Sequence, residues 1–239
     1  MIASEASGTR LWRVIVVGGH TRSIGKTQLV CDVIRAFPKT RWIAGKITQY
    51  GHGVCTRNGR RCDCAPDEHI CALNWESHSD TGTDSARFLA AGAERSFWLR
   101  TKQGHLAEGL PLLRGALGQV VDAENSDGAG AGNGSNGGAL IVESNSLLQF
   151  LRPSLYFAVI DPGRKDFKGS ARMVLDRADA LVLRGEVGQE VSPAPLWMSL
   201  PAKLLQERPS VVQREGENLP EPLGALVQRV LEAPPEVRV

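Results

Sequence analysis

The segment from Val14 to Leu29 constrains the fold of this chain more than any other part of the sequence. Four apolar β-formers, Val14–Val17, lead into a turn of small and polar residues that ends at Gly25–Lys26–Thr27. An amphipathic helical pattern follows. A strand, a glycine-bearing turn and a helix in this order are typical of a phosphate-binding loop, because backbone N–H groups of the turn and the helix N-terminus surround a polyphosphate. The sequence therefore predicts a nucleotide-binding α/β fold.

The residues of this turn have separate expected roles. Lys26 neutralises the terminal phosphates, and the hydroxyl of Thr27 ligates Mg²⁺. The spacing differs from Gly-x₄-Gly-Lys-Thr, since His20 stands at the first glycine position and Gly19 comes one residue early. A purely structural turn is the alternative interpretation. The residues expected to bind the nucleotide are Gly19, His20, Thr21, Arg22, Ser23, Ile24, Gly25, Lys26, Thr27 and Gln28.

Charge and composition argue against several other classes of function. The 239 residues carry a formal net charge of +2, and no Lys/Arg-dense run is interleaved with aromatic residues, so nucleic acid is not an expected partner. No apolar window approaches the roughly 18 residues that a membrane span needs. The first residues, Met1–Thr9, lack a basic-then-apolar signal pattern. We therefore expect a cytoplasmic protein that does not bind a membrane.

Strand and helix patterns alternate along the chain, which predicts a mostly parallel sheet flanked by helices in a single domain, residues 1–239. The predicted strands are Leu11–Val17, Arg41–Ile47, Ser96–Arg100, Ala139–Val142, Tyr156–Ile160 and Ala180–Leu183. The predicted helices are about Gly25–Ala36, Thr83–Ala93 with Thr83 or Asp84 as its cap, Leu110–Val121, and two short ones near Ala202–Glu207 and Leu223–Leu231.

Three segments interrupt this alternation. Residues 51–75 form a predicted insertion that carries most of the cysteines. Residues 126–138 consist almost entirely of Gly, Ala, Ser and Asn, which cannot pack a core, so we expect a flexible surface loop. Residues from about 193 to 239 are rich in proline and are expected to wrap the edge of the sheet as a C-terminal extension.

Charged residues at the ends of predicted strands are candidates for the chemistry, because ligands of open α/β sheets bind at the carboxyl ends of the strands. Lys46 ends the second strand and is expected to contact the terminal phosphate or a second substrate, unless it is a solvated strand-end charge. Glu143 follows a buried apolar run and is expected to ligate Mg²⁺ or hold its water. Asp84 is either a helix N-cap or a second carboxylate near the metal.

The segments that follow two of these strands supply further candidates. Ser144 or Asn145, just past Glu143, is a candidate for orienting the attacking group. Asp161–Lys168 follows another predicted strand, where it either helps to bind a second substrate or a partner or forms a solvated turn.

Four cysteines with symmetric spacing form a second candidate site. Cys55, Cys62, Cys64 and Cys71 are separated by six, one and six residues and lie among loop-forming residues. Four thiolates suit Zn²⁺ or an iron–sulfur cluster, and free or redox-active thiols and disulfides are the alternatives. Cys31, within the first predicted helix, is expected to be a small buried apolar residue.

One block of the sequence resembles a known family. Gly82–Arg87, which reads Gly-Thr-Asp-Ser-Ala-Arg, is followed by Ala91–Gly92–Ala93. This block resembles the Gly-Lys-Asp-Ser-x-Arg…Ala-Gly-Ala signature of the accessory GTPases of molybdopterin-guanine dinucleotide biosynthesis, the B-protein family of P-loop NTPases. The resemblance covers roughly Trp12–Arg184, and the arrangement is also similar to that of dethiobiotin synthetases.

The resemblance implies a role for each candidate residue. It implies that Thr27, Asp84 and Glu143 share a Mg²⁺ ion and that Lys46 contacts the substrate or the γ-phosphate. Lys26, Lys46 and Glu143 are then the catalytic residues of an ATPase or GTPase. No Asn-Lys-x-Asp motif is present to select guanine, so the sequence leaves ATP and GTP open.

The same resemblance implies an accessory NTPase of molybdenum-cofactor biosynthesis that acts with a biosynthetic enzyme and as a homodimer. Two alternatives stay open. One is a nucleotide-gated adaptor in which the cysteine segment responds to metal or redox state. The other is a ligase or kinase similar to dethiobiotin synthetase, in which Lys46 holds the acceptor.

Overall fold

The structure is a computed structural model, and it describes residues 11–51, 70–126, 139–185, 203 and 207–239. Its strands are β1 (Leu11–Gly19), β2 (Trp42–Tyr50), β3 (Cys71–Trp75), β4 (Arg95–Lys102), β5 (Ala139–Glu143), β6 (Leu155–Ile160), β7 (Ala180–Gly185), β8 (Ser210–Arg214) and β9 (Val237–Arg238). Its α-helices are α1 (Lys26–Ala36), α2 (Asp84–Ala90), α3 (Leu106–Ser126), α4 (Gly169–Arg172) and α5 (Glu221–Glu232). Two short 3₁₀ helices span Ser146–Gln149 and Leu175–Arg177.

The described strands form a 9-stranded sheet with the order β3-β4-β2-β5-β1-β6-β7-β8, and β9 pairs with β1. All neighbours are parallel except β3 with β4 and β9 with β1. The predicted mostly parallel α/β sheet is therefore confirmed. Because β1 lies between β5 and β6, the turn that follows β1 lies beside the carboxyl ends of both neighbours.

Both faces of the sheet are buried, which explains why β1 reads as a continuous apolar run. Val14 and Val16 pack on one face in a cluster with residues of α3, including Leu113. Ile15 and Val17 pack on the other face with residues of α1 and α5. Successive side chains of a strand point to opposite faces, so helices on both sides require apolar residues at every position.

Helix α3 begins four residues before the predicted start at Leu110. The prediction placed Pro111 in the first turn, where proline is common, but Pro111 lies inside the helix. Leu106 and Leu110 are both buried, and this extra turn closes the apolar cluster over β4. Burial of apolar side chains therefore outweighs the local preference of proline for a helix start.

The sequence did not predict the strands at or near the edges of the sheet. Strand β3 lies at the end of the cysteine-bearing segment and pairs antiparallel with β4. Strand β8 and helix α5 come from the proline-rich extension, and β8 adds the strand beyond β7. The predicted glycine-rich loop lies almost wholly outside the described residues, as does most of the predicted helix near Ala202–Glu207. In the described part of the chain, no helix is both long enough and apolar enough to cross a membrane.

Candidate functional site

The turn between β1 and α1, residues 20–25, is shaped by its last residue. Gly25 precedes α1 with a φ of 83°, in the left-handed region that favours glycine. A Cβ atom at this position would lie 2.6 Å from the guanidinium of Arg184. The Gly25 carbonyl also accepts a hydrogen bond from Arg184. Glycine therefore satisfies two requirements here, a backbone conformation and a close approach.

Asn145 fixes the other end of this turn. The Gly19 N–H donates to Asn145 Oδ1 at 2.8 Å, and Asn145 Nδ2 donates to the Gly19 carbonyl at 2.8 Å. A Cβ atom on Gly18 would lie 2.2 Å from Asn145 Oδ1. Ser144 Oγ accepts a hydrogen bond from the Leu147 N–H at 3.1 Å. Both side chains therefore support the backbone and both also line the cavity beside this turn, so their role in orienting an attacking group stays a prediction.

His20 occupies the position of the missing first glycine, and its side chain is buried. The ring is 1% exposed and lies 5.3 Å from the ring of Phe167, centroid to centroid. Burial lowers the pKa of His20, although Asp161 and Asp166 nearby oppose the shift. The cavity beside the turn is lined by Arg22, Ser23, Ile24, Gly25, Lys26, Thr27 and Gln28, but not by Gly19, His20 or Thr21. Gly19, His20 and Thr21, the first three residues predicted to bind the nucleotide, therefore lie in the turn but do not line the cavity.

Lys26 begins α1 and extends back along the turn. Its Nζ donates to the carbonyl of Thr21 at 2.7 Å. Burial lowers the pKa of Lys26 to about 8, and the nearby Glu143 carboxylate opposes this shift. Thr21 Oγ1 in turn donates to Asp166. The ammonium group is thus held close to the backbone of the turn, where a bound phosphate would meet it.

Four further predicted residues meet beside Lys26. Thr27 Oγ1 donates to Glu143 Oε2 at 2.7 Å. Lys46 forms an ion pair with Asp84 and lies 3.3 Å from Glu143 Oε1. The sheet register brings this about, because Glu143 pairs with Lys46 on β2 and with Val17 on β1. Residues separated by more than 100 positions in the sequence therefore share one site.

The structure resolves the two interpretations of Asp84. Thr83 is the N-cap of α2, and its side chain accepts a hydrogen bond from the Ala86 N–H at 3.1 Å. Asp84 is the first helical residue, and its carboxylate faces Lys46. Burial would raise the pKa of Asp84, but hydrogen bonding and charge from Lys46 outweigh it and lower the pKa. The capping role belongs to Thr83, which leaves Asp84 for the charged cluster.

The charged cluster also changes the pKa of Lys46. Burial alone would lower this pKa, but the carboxylates of Glu143 and Asp84 outweigh it and raise the pKa. Lys46 is thus held as an ammonium between two carboxylates.

The oxygen atoms of this cluster have the chemistry of a magnesium site. Thr27 offers a hydroxyl, and Asp84 and Glu143 offer carboxylates, which are the hard oxygen donors that Mg²⁺ prefers. In the described segments, no group of three or more His, Cys, Asp or Glu residues could hold a metal ion. Thr27, Asp84 and Glu143 supply only two carboxylates. A Mg²⁺ ion at this position would therefore also need the Thr27 hydroxyl and the oxygens of a bound phosphate as ligands.

The predicted cysteine site lies almost wholly outside the described residues, which include only Cys71 of its four members. Cys71 opens strand β3, and its thiol lies 3.6 Å from the Glu108 carbonyl. Burial raises the pKa of this thiol. Cys31 is 1% exposed within the core cluster beside α1, as expected for a small buried residue, and burial raises its pKa to about 11.

A single cavity of about 1570 Å³ is lined by the five residues expected to hold the metal or the terminal phosphate, Lys26, Thr27, Lys46, Asp84 and Glu143. Its described walls hold six cationic side chains: Arg22, Lys26, Lys46, Arg87, Lys168 and Arg184. They hold four carboxylates: Asp84, Glu143, Asp161 and Glu215. The excess of positive charge beside the N-terminus of α1 favours an anionic ligand.

Sequence reasoning assigned no definite role to two of these cations. Arg184 is the penultimate residue of β7, and Lys168 belongs to the segment that follows β6. Both positions follow the rule that ligands bind at the carboxyl ends of strands, but the sequence does not show that the two side chains reach one cavity.

No protein-family model and no curated protein matches the chain. The resemblance to the molybdenum-cofactor GTPases therefore stays a prediction.

Proposed function

We propose that this protein is a P-loop NTPase that binds a nucleoside triphosphate with Mg²⁺ beside the turn between β1 and α1. One observation carries the proposal: Lys26, Thr27, Lys46, Asp84 and Glu143 meet at one cavity although the sequence disperses them. A strand, a turn with a left-handed glycine, and a helix that opens with Lys-Thr support the same assignment.

Each residue has a distinct task in the proposed reaction. The N–H groups that open α1 and the ammonium of Lys26 hold the phosphates and stabilise the negative charge on the transferred group. Thr27, Asp84 and Glu143 would hold Mg²⁺, which supplies electrostatic stabilisation to the phosphates when bound. Lys46, now paired with both carboxylates, lies where it can exchange them for a terminal phosphate oxygen.

The biological role that we propose is an accessory NTPase of cofactor biosynthesis, with molybdenum cofactor as the first candidate. The Gly82–Arg87 block supports it through its resemblance to that family, and within this block Asp84 faces the proposed metal site. An interacting biosynthetic enzyme and a homodimer are further parts of this proposal.

The size of the cavity favours a second candidate, transfer to an organic acceptor. A typical small-molecule site measures roughly 300–1,000 Å³, and this cavity is about 1570 Å³. Phe150 and Met173 line it and are 45% and 65% exposed. A second ligand could use this apolar wall, as in a kinase or ligase similar to dethiobiotin synthetase.

Calorimetry and a phosphate-release assay test the proposed function with a Lys26→Ala variant. We expect binding of ATP or GTP with Mg²⁺ and slow hydrolysis, and we expect Lys26→Ala to reduce turnover by about 100-fold or more, since the ammonium stabilises transition-state charge. Lys39→Ala, which changes an exposed lysine outside the cavity, is the control. A folded protein that binds neither nucleotide contradicts the proposal, and turnover only with an added carboxylate or amine acceptor favours the second candidate.

A further inference from the structure

The segment that follows β6 is attached to the turn between β1 and α1 at two points. The backbone N–H of Lys168 donates to the His20 carbonyl at 2.9 Å. Asp166 accepts a hydrogen bond from Thr21 Oγ1. His20 in turn packs against Phe167 of the same segment. These contacts fix the backbone of Lys168 beside the proposed phosphate site.

The side chain of Lys168 lines the cavity. It is partly buried, and among the described residues its ammonium forms no hydrogen bond or ion pair. Burial lowers the pKa of Lys168, and the positive charge of Arg22 lowers it further, while Asp166 and Glu143 oppose the shift. Keeping an unpaired ammonium here is unfavourable unless an anion joins it.

Three other cations of the cavity differ from Lys168 because protein groups already engage them. Lys46 pairs with Asp84 and Glu143. Arg87 donates to Gln28 Oε1 at 2.9 Å. Arg184 donates to the Gly25 carbonyl. Lys168 is therefore more readily available to a ligand than these three cations.

The electrostatic neighbours of Lys168 indicate which part of a ligand it meets. Its ammonium is influenced by Glu143 and Lys46, although these lie on β5 and β2, on the far side of β1. Lys168 also lowers the pKa of Lys26. Lys168 also lines the same cavity as Lys26, Lys46 and Glu143, so it shares one space with the metal-binding end of the proposed site, where the terminal phosphate would lie.

We propose that Lys168 binds the terminal phosphate of the nucleoside triphosphate together with Lys26. This inference rests on the proposed function and adds to it, because it gives the protein a means to distinguish a triphosphate from a diphosphate. The Lys168 ammonium then contacts the nucleotide only while the terminal phosphate is present.

Calorimetric titration of the full chain with Mg²⁺ and the pairs GTP/GDP and ATP/ADP tests this inference in a Lys168→Met variant. We expect the affinity for the triphosphate to fall about tenfold and the affinity for the diphosphate to change less than twofold, as for the loss of one charge-assisted phosphate contact. Lys168→Arg is expected to keep most of the triphosphate affinity. Lys165→Met is the matched control, since Lys165 is exposed in the same segment and does not line the cavity.

The possible outcomes separate the two proposals. If the wild-type protein binds the triphosphate and Lys168→Met binds it equally well, the inference is wrong and the proposed function stands. An equal loss of triphosphate and diphosphate affinity also overturns it, because the contact is then not with the terminal phosphate. If the wild-type protein binds neither nucleotide, the proposed function fails as well. Thermal melting establishes that each variant is folded, and Lys168→Gln replaces Lys168→Met if that variant is not.

Discussion

At the scale of single residues, the site depends on the hydroxyl of Thr27 and on the ammonium of Lys46, which lies between the carboxylates of Asp84 and Glu143. Glu143 is 5% exposed, and a carboxylate so deeply buried is stable only with partners. Its two oxygens are engaged separately, one by Thr27 and the other by Lys46. Removal of the charge on Glu143 should therefore affect the proposed binding of Mg²⁺ and the ion pair with Lys46 together, while the shape of the site is retained.

Glu143→Gln tests the role of this carboxylate in metal binding. We expect the Mg²⁺ concentration for half-maximal hydrolysis to rise about tenfold or more, because an amide oxygen is a much weaker ligand for Mg²⁺ than a carboxylate. A magnesium titration of phosphate release measures this. Glu217→Gln is the control, since Glu217 is exposed and does not line the cavity. An unchanged magnesium dependence would remove Glu143 from the metal set.

At the scale of elements, the turn between β1 and α1 depends on contacts from strands that are distant in sequence. Asn145, which follows β5, holds the end of β1, and Arg184 of β7 contacts Gly25 at the start of α1. Lys168 adds a backbone hydrogen bond from the segment after β6. The conformation of the turn is thus determined by three neighbouring strand ends as well as by its own sequence.

Gly25→Ala measures how much the contact with Arg184 constrains this turn. The left-handed φ of 83° costs an alanine about 1 kcal/mol, and displacement of Arg184 adds a further cost of roughly 1–3 kcal/mol. Gly216→Ala is the matched control, because Gly216 has a similar φ of 80° and no atom within 4 Å of an added Cβ. Chemical denaturation should show a larger loss of stability for Gly25→Ala. Equal losses would mean that Arg184 moves away without cost.

At the scale of the whole molecule, the free energy of unfolding depends on pH through Lys26. The pKa of Lys26 is about 8 in the folded protein, whereas an ordinary exposed lysine, as in the unfolded chain, has a pKa of 10.5. Between these two pH values the unfolded chain therefore binds more protons than the folded protein. The contribution of Lys26 to the free energy of unfolding therefore rises with pH between about 8 and 10.5. Below pH 8 the ammonium is charged in both states, and the folded protein bears the full cost of burying it. That cost is on the order of 3 kcal/mol.

Lys26→Met is accordingly expected to be more stable than the wild-type protein at pH 7, with the difference narrowing as the pH rises from 8 to about 10.5. Thermal melting of the two proteins across this range, without nucleotide, measures the effect. Lys39→Met serves as an exposed control that should show no such narrowing. A difference in stability that is independent of pH would contradict the expected burial of the Lys26 ammonium.

Local sequence patterns predicted much of the fold. Continuous apolar runs such as Val14–Val17 are buried on both faces, and such runs have few alternatives to a central parallel strand. Strands β3 and β8 were missed because an edge strand buries less apolar surface and leaves a weaker pattern. The predicted position of Glu143 at the end of β5 is confirmed, but the prediction that Lys46 ends its strand is wrong, because β2 continues through Lys46 to Tyr50. Sequence spacing also could not show that Lys46 and Glu143 are neighbours in the sheet.

The sequence by itself determined the strand–turn–helix unit around Lys26, because local backbone preferences and apolar periodicity are properties of consecutive residues. Only the tertiary structure decided which distant side chains join that unit. The strand order places β5 and β6 on either side of β1, so Glu143 and Lys168 approach the same turn from opposite sides. Strand order is set by the packing of the complete sheet, and for this reason the partners of Lys26 cannot be read from the residues next to it.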